Sequence, residues 1–541
     1  MEQNRGSWGS NLGFLLAAIG SAVGLGNIWG FPYKMGKSGG FTFLLIYLLL
    51  AVFVGFIIMM GELSLGRKTG KGTVGAYHTL SKKFKWIGWL AVFSPFVIMS
   101  FYAVLGGYCI EYMSLNLSNL AFAGAEFKTG ADLFGAMLTN PFGCVMFTLL
   151  FLVICYLINR GGVSGGIEKF NKIGMPALFV MLVIIIIRSL TLPGAMEGLK
   201  FMFVPGYAVK AGFIEEAPKF ATVLATAGGQ MFFSLSLAMG AMITYGSYLS
   251  KQEDLVKNSA IIVVADTVVA IMAGIAVIPA AVANGIQNGI PLNQIKLGGP
   301  SLLFVTLQDV FQAMGSVGPL FGVIFYLLVL IAAISSAISL IEVVVTYFMD
   351  RAAAKGKQGN RPKVVLLVCL AILVEAAIVA VDGLGSNGVW VPLQNSFGVI
   401  GEFNDCWLDF MDTLSEGIAM PLGALLMSLM VGWEIKPKPL LDEIHQGSTA
   451  KIDGFFSFCM KFIVPPGHAA DPGGPDRHLL PPGHLLIWFP RPGPHPRFRP
   501  IQASLQSTTD SGKFPLLLQR FFWEIKSIKR SGPFGPDLFA S

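Results

Sequence analysis

Ten times between residues 11 and 433 the chain runs through nearly unbroken apolar sequence about as long as a bilayer is thick. Wound as a helix, about 20 such residues cross a hydrocarbon core of about 30 Å and bond every backbone N–H and C=O internally, which lipid cannot do for them. The runs lie near 11–34, 39–66, 86–117, 141–159, 165–189, 219–248, 256–285, 318–350, 363–381 and 405–433, and an eleventh begins near Phe455. Charge is scarce: 13% of the 541 residues are charged and 54% are hydrophobic, where an ordinary soluble domain carries about 25% charge. That supply cannot give several soluble domains their polar surfaces, so the expected fold is an all-α polytopic membrane protein. The first run follows the polar stretch Met1–Ser10 without a small-residue cleavage site, and is expected to stay as a span instead of leaving as a secretory leader.

The net charge of +7 is dispersed over the connections and forms no basic patch, which argues against nucleic acid as a partner. Where the basic residues fall sets an orientation. Arg67, Lys68, Lys71, Lys82, Lys83 and Lys85 follow the second run, and Arg351, Lys355, Lys357, Arg361 and Lys363 follow the eighth, on the same side as Arg5. The opposite connections are poorer in Lys and Arg. The positive-inside rule then puts the N-terminus in the cytoplasm and the chain in the cytoplasmic membrane as a multi-pass protein. Cys109, Cys144, Cys155, Cys369, Cys406 and Cys459 are scattered through apolar sequence and resemble neither a disulfide framework nor a zinc site.

Composition shifts at Pro465, which divides a body, 1–464, from a tail, 465–541, holding nearly half of the 30 prolines and most of the 6 histidines. Dense Pro and Gly form neither a membrane helix nor a packed core. Three readings stand: a disordered extension, a His/Arg-rich regulatory tail, and a shifted reading frame. The last is favoured, because suitable codons for His468–Leu480 read one base later give Met-Leu-Leu-Thr-Pro-Ala-Ala-Leu-Thr-Gly-Ile-Phe, which would continue the eleventh span.

Two runs are weak as helices. The first holds Gly20, Gly24 and Gly26 beside Asn27 and is followed by Pro32; the sixth holds Gly228, Gly229 and Gly240 around Ser234 and Ser236. Each glycine costs a helix about 1 kcal/mol, so both helices are expected to break at mid-membrane depth. Close packing through Gly20 with Gly24, and Gly26 with Gly30, is the competing reading of the first cluster; the Asn27 amide, which lipid cannot satisfy, favours the break. Broken helices five spans apart, each opening one half of a ten-helix body, are the pattern of an inverted five-plus-five repeat with its site at the midplane. The repeats run from about 8 to 190 and from about 213 to 434, and the eleventh helix starts at about 455–464. Intramembrane polar groups are few. Glu62, Asp266, Glu342, Asp412 and the pair Ser335-Ser336 are expected at the site or its gates, and Glu375, alone in an apolar helix, at a packing interface.

The stretches Gly20–Gly40, Glu62–Arg67, Gly166–Phe170, Gly229–Ser236 and Ala332–Ser336 resemble, in this order, those of the neurotransmitter:sodium symporter family, and are most similar to its bacterial amino-acid branch, typified by the leucine transporter. The resemblance covers residues 1 to about 464. It implies a leucine-transporter-like fold and a sodium-coupled symporter that imports an amino acid by alternating access. It also implies one Na+ among the Ala22 carbonyl, Asn27, Ser234, Asp266 and the substrate carboxylate, and a second among the Gly20, Val23 and Ala332 carbonyls with Ser335 and Ser336. Oxygen donors of this kind suit a hard cation.

On the same resemblance the amino acid's carboxylate meets the Leu25 and Gly26 amides and the Tyr102 hydroxyl, and its ammonium meets the Ala22 and Phe233 carbonyls with Ser234 and Ser236. Ile98, Tyr102, Phe233, Ala238, Met239, Ser336 and Leu340 would line the side-chain pocket, an almost wholly apolar wall that favours a hydrophobic or aromatic substrate. Monoamine carriers of the family place aspartate at position 24; Gly24 suits an amino acid, which brings its own carboxylate. Chloride-requiring animal members are neutral around the first sodium site, so Asp266 implies transport without chloride.

Arg5 with Asp350, near Trp8 and Tyr248, is expected to close the cytoplasmic side, while Tyr102 and Phe233 cover the substrate from outside. One feature departs from the family's pattern. Many relatives carry arginine two residues before the first-span proline, paired with an acid in the tenth span; this chain reads Gly30-Phe31-Pro32 and leaves Asp412 without that partner. A channel and a transport-inactive amino-acid sensor are the alternative functions. The spans lack a continuous polar pore lining, the tail is a poor output domain, and no HExxH or aspartyl pair points to an enzyme. The expected partners are the amino acid and the lipid bilayer, and a homo-oligomer is compatible with the sequence.

Overall fold

A computed structural model of the chain describes residues 7–121, 129–295, 297, 301–389 and 406–465. Arg5 and the Pro-rich sequence from 466 onward lie outside the described residues, as do the readings attached to them. All regular structure among the described residues is helical.

Eight helices are long and apolar enough to cross a membrane: Phe41–Thr69, Ile87–Ala121, Pro141–Asn159, Val163–Leu190, Leu255–Gln287, Gly315–Ala354, Arg361–Asp382 and Trp407–Glu434. They are the second to fifth and seventh to tenth spans. The first span is a pair, Asn11–Ala22 and Gly26–Lys37, bent by 45° at the break. The sixth is divided into Phe220–Ser234 and Ala241–Gly246, and the eleventh is represented by Asp453–Phe458 running into Cys459–Ile463. The described residues therefore hold eight continuous spans and one bent one, and not eleven complete helices.

The spans end where residues suited to capping stand. Ser10 accepts from the Gly13 N–H ahead of the first helix, Asn140 accepts from Gly143 with Pro141 as the first helical residue, and Asp254 accepts from Val256 and Lys257 ahead of the seventh. Each side-chain oxygen satisfies an N–H that the helix itself cannot. The second span stops at Gly70, whose φ of 60° closes the last turn.

Polarity is arranged inside out. Leu45, Leu49, Val52 and Phe53 of the second span, and Leu366, Leu367, Leu370 and Val374 of the ninth, are exposed, a surface that only lipid suits. Asn27, Glu62, Asp266, Ser335 and Glu342 are buried in the bundle. The third and eighth spans share the largest helix–helix interface, flanked by the fourth and ninth. The N-terminal half of the first span lies against the fifth, seventh and eighth, so its break is held at the centre of the molecule.

Candidate functional site

The site begins with two breaks that hold each other open. In the first span the helix ends at Ala22, the chain turns extended at Val23, and a π turn resumes at Gly26–Gly30. The freed amides find partners: Gly24 N–H donates to Asn27 Oδ1 at 3.0 Å and Leu25 N–H to the Tyr102 hydroxyl at 3.0 Å. In the sixth span the helix stops at Ser234, and Ser236, Ala238 and Gly240 take φ of 51°, 61° and 77°. The left-handed region costs a residue with a side chain about 1–2 kcal/mol. Bonds around the break offset it. Ala238 N–H donates to Glu62 Oε1 at 2.6 Å, the Ser236 hydroxyl donates to the Ser21 carbonyl at 2.7 Å, and Gln230 Nε2 donates to the Gly26 carbonyl at 2.7 Å. Glu62 thus acts as a fixed acceptor for the sixth-span break.

Two oxygen clusters lie beside the breaks. In the first, Asn27 Nδ2 donates to Asp266 Oδ1 at 2.7 Å, and the Ser234 hydroxyl lies 3.2 and 3.0 Å from the two Asp266 carboxylate oxygens. The Tyr47 hydroxyl completes it, 3.3 Å from both Ser234 Oγ and Asp266 Oδ2. In the second, Ser335 Oγ lies 3.3 Å from the Val23 carbonyl and 2.8 Å from the Ala332 carbonyl, and Ser336 Oγ lies 3.3 Å from the Gly20 carbonyl. Oxygens sharing a hard cation at about 2.4 Å stand about 3.4 Å apart in an octahedral shell, close to the 3.3 Å spacings of the second cluster; in the first, Asn27 gives its nitrogen to Asp266 and its oxygen to Gly24 N–H, so its amide must turn to hold an ion. Every side chain in both clusters is buried. The cluster residues expected from the sequence are thereby brought together: Asn27, Ser234 and Asp266 in one, Gly20, Val23, Ala332, Ser335 and Ser336 in the other. Ala22 is the last residue of the first helix. Tyr47 and Gln230 were not expected as site residues; what marks them is contact with groups far away in sequence, Asp266 and the Gly26 carbonyl.

Ile98, Tyr102, Phe233, Ala238, Met239, Ser336 and Leu340 are all buried, with Phe233 the most exposed at 9%. The Tyr102 and Phe233 rings stand 6.4 Å apart. A Cβ on Gly24 would come within 2.3 Å of Ser336 Oγ and 2.6 Å of the Tyr102 hydroxyl, and one on Gly26 within 2.8 Å of Phe233 Cδ1.

At the face opposite the N-terminus, where the sequence leaves Asp412 without the arginine that many relatives carry, a different pair stands. Lys34 pairs with Glu416 of the tenth span, and its Nζ lies 5.9 Å from the centre of the Phe233 ring. Lys34 is one helical turn beyond Gly30, and Glu416 one turn beyond Asp412. A Cβ on Gly30 would lie 2.8 Å from Gln230 Oε1, so the Gln230 side chain would have to shift to admit one. Asp412 belongs to the same cluster, bonded to Glu416 and within the field of Lys34.

At the face that carries the N-terminus, Asp350 Oδ2 accepts from the Gly72 N–H at 2.8 Å. Trp8 meets Tyr245, through Nε1 to its carbonyl at 3.2 Å and ring to ring at 5.1 Å. Tyr248 instead donates to Glu342 Oε1 at 3.1 Å and meets Thr346 at 3.0 Å. Glu342 in turn pairs with Arg361 of the ninth span. Arg361 was read from the sequence only as a loop cation.

A membrane-embedded helical bundle with two broken helices crossing at paired oxygen clusters defines a cation-coupled carrier of small solutes. A family model described as the sodium:neurotransmitter symporter family matches residues 5–132 and 126–469. The chain belongs to this family. An uncharacterised sodium-dependent transporter of Bacillus subtilis is 34% identical over 471 residues, 86% of this chain and 96% of the relative. The human sodium- and chloride-dependent GABA transporter 2 is 24% identical over 502 residues, 85% of this chain and 78% of the relative. The crystal structure of MhsT in complex with L-phenylalanine aligns with a TM-score of 0.73 at 34% identity, over 86% of this chain and 98% of that one. The fold is accordingly the leucine-transporter-like fold of inverted helix repeats, and the protein is a sodium-dependent membrane transporter.

Proposed function

We propose that the protein imports a hydrophobic or aromatic amino acid together with two sodium ions, from the side of Lys34 and Glu416 to a cytoplasm that holds the N-terminus, and that it does so without chloride. The observation that carries this reading is the placement of Asp266: a fixed carboxylate among Asn27, Ser234 and Tyr47, with its oxygens 2.7 to 3.3 Å from their polar atoms. It supplies within the protein a negative charge that balances a bound cation. Gly24 supports an amino acid over an amine, since no carboxylate stands at this position to pair with an amine that lacks one of its own. The apolar wall from Ile98 to Leu340 supports a large apolar side chain, and L-phenylalanine, the ligand in the MhsT structure, is the first probe.

The chain's own groups account for a coupled cycle. Leu25 and Gly26 amides and the Tyr102 hydroxyl orient the substrate carboxylate so that it completes the first cluster, which joins ion and solute in one site. Ser335 and Ser336 draw the eighth span onto Gly20 and Val23, and hold the N-terminal half of the first helix in place. Lys34 with Glu416, above Phe233, shuts the outer side; Tyr248, Glu342 and Arg361, with Asp350, shut the inner.

Purified protein in proteoliposomes tests the proposal. With an inward sodium gradient, labelled L-phenylalanine should accumulate above its external concentration, collapse to equilibrium when choline replaces sodium, and be unchanged when gluconate replaces chloride. A channel would only equilibrate the label and a sensor would move none. Loss of uptake in gluconate would overturn the role given to Asp266.

A further inference from the structure

The fifth span carries a polar group that neither oxygen cluster includes. Asn171 is fully buried and follows the π turn Val163–Glu168 by three residues. Its own helix sets the amide's orientation. Nδ2 donates to the Ile167 carbonyl at 2.9 Å, and turning the amide over would face two oxygens. Oδ1 therefore points away from the fifth helix, and it has no hydrogen-bond partner among the described residues. Buried amide oxygens in folded proteins almost always have one.

What Oδ1 meets is Gly20. A Cβ built on Gly20 would lie 2.0 Å from Asn171 Oδ1 and 3.2 Å from Ser335 Cβ. The amide oxygen thus occupies the space a side chain at position 20 would need, beside two members of the second cluster. Its neighbour one turn earlier offers no comparable free donor. Glu168 accepts from Gly9 N–H at 2.8 Å and from the Ser10 hydroxyl at 3.3 Å, and pairs with Lys172 at 2.7 Å, so its carboxylate is spent on anchoring the start of the first helix.

We propose that Asn171 Oδ1 is a further oxygen donor to the cation held by Gly20, Val23, Ala332, Ser335 and Ser336, so that sodium ties the fifth span to the first and eighth. The proposal rests on reading that cluster as a sodium site. A neutral amide oxygen is a suitable ligand for a hard cation. The competing account is packing alone, with Oδ1 resting on the Gly20 Cα–H as a weak contact.

Thermal unfolding of the purified full chain, titrated with sodium chloride against choline chloride and without amino acid, separates the two. Leaving out the amino acid isolates the second cluster, because the first is completed by the substrate carboxylate. Ser335→Ala/Ser336→Ala should abolish the sodium-dependent shift. Asn171→Ala should raise the sodium midpoint about tenfold, and Asn171→Asp, which keeps the oxygen and adds charge, should lower it. If the double serine variant loses the shift while both Asn171 variants titrate like the unaltered protein, Asn171 only packs and the proposal fails. If the double serine variant titrates normally, the sodium reading of the cluster fails and takes the proposal with it. Should Asn171→Ala not fold, Asn171→Asp decides alone, and a midpoint that does not fall overturns the proposal.

Discussion

Gly24 shows how much one absent side chain decides. Its neighbours are fixed: Ser336 Oγ donates to the Ser21 carbonyl at 2.9 Å, and the Tyr102 hydroxyl accepts from Leu25 N–H at 3.0 Å. A methyl group there would press on both oxygens, and forcing one methylene into a packed interior costs about 1–3 kcal/mol. Gly24→Ala should therefore weaken equilibrium binding of labelled L-phenylalanine by at least about tenfold. Unchanged affinity would mean that the substrate does not lie against Gly24. At this scale the sequence was informative where a residue type is out of place. A carboxylate such as Asp266 or an amide such as Asn27 is conspicuous in an apolar run. Tyr47 and Asn171 were not read as site residues, because what marks them is three-dimensional: a hydroxyl 3.3 Å from Asp266, and an oxygen left without a partner.

Helices were legible one by one, and their pairings were not. The fourth span begins at Pro141 and ends at Asn159, as its hydropathy predicts, because an Asn–Pro start and a Gly-Gly stop are written locally. The break at Val23 was equally clear from its glycines. The ion pair between Lys34 and Glu416 joins residues 382 apart in sequence, and local patterns carry no information at that range; only after Gly30 and Asp412 are seen to be displaced by one turn does the substitution make sense. The pair's work can be measured as retention. Lys34 lies over the Phe233 ring, the cover proposed for the substrate, and removing a partly buried cation–π and ion-pair contact costs about 1 kcal/mol. Lys34→Gln and Glu416→Gln should each speed the release of bound labelled L-phenylalanine by roughly fivefold, and the double variant should be no faster than either single one, since both break the same contact. Additive effects, or no change in release, would remove Lys34 and Glu416 from the outer closure.

At the scale of the whole molecule, the inversion of the two halves rests on the sixth span crossing the membrane. Its pieces hold 15 and 6 residues, and at 1.5 Å per residue they rise together by about 31 Å, close to the hydrocarbon thickness of about 30 Å. If Phe220–Ser234 and Ala241–Gly246 form one interrupted crossing, the chain passes five times before the sixth span begins, and the second half runs opposite to the first. If the Leu235–Gly240 break instead turned the chain back, every later span would be reversed, and the basic residues after the eighth would face outward against the positive-inside rule. Exposed polar residues on either side of the break distinguish these. The six native cysteines are all buried, so single cysteines at exposed sites can be read against a low background. Lys83→Cys, Gln252→Cys and Lys357→Cys should react with a membrane-impermeant maleimide only in inside-out vesicles, and Glu216→Cys only in right-side-out cells. Labelling of Gln252→Cys together with Glu216→Cys would show that the sixth segment does not cross. The two oxygen clusters would then not lie between inverted halves, and the coupled cycle would lose its structural basis.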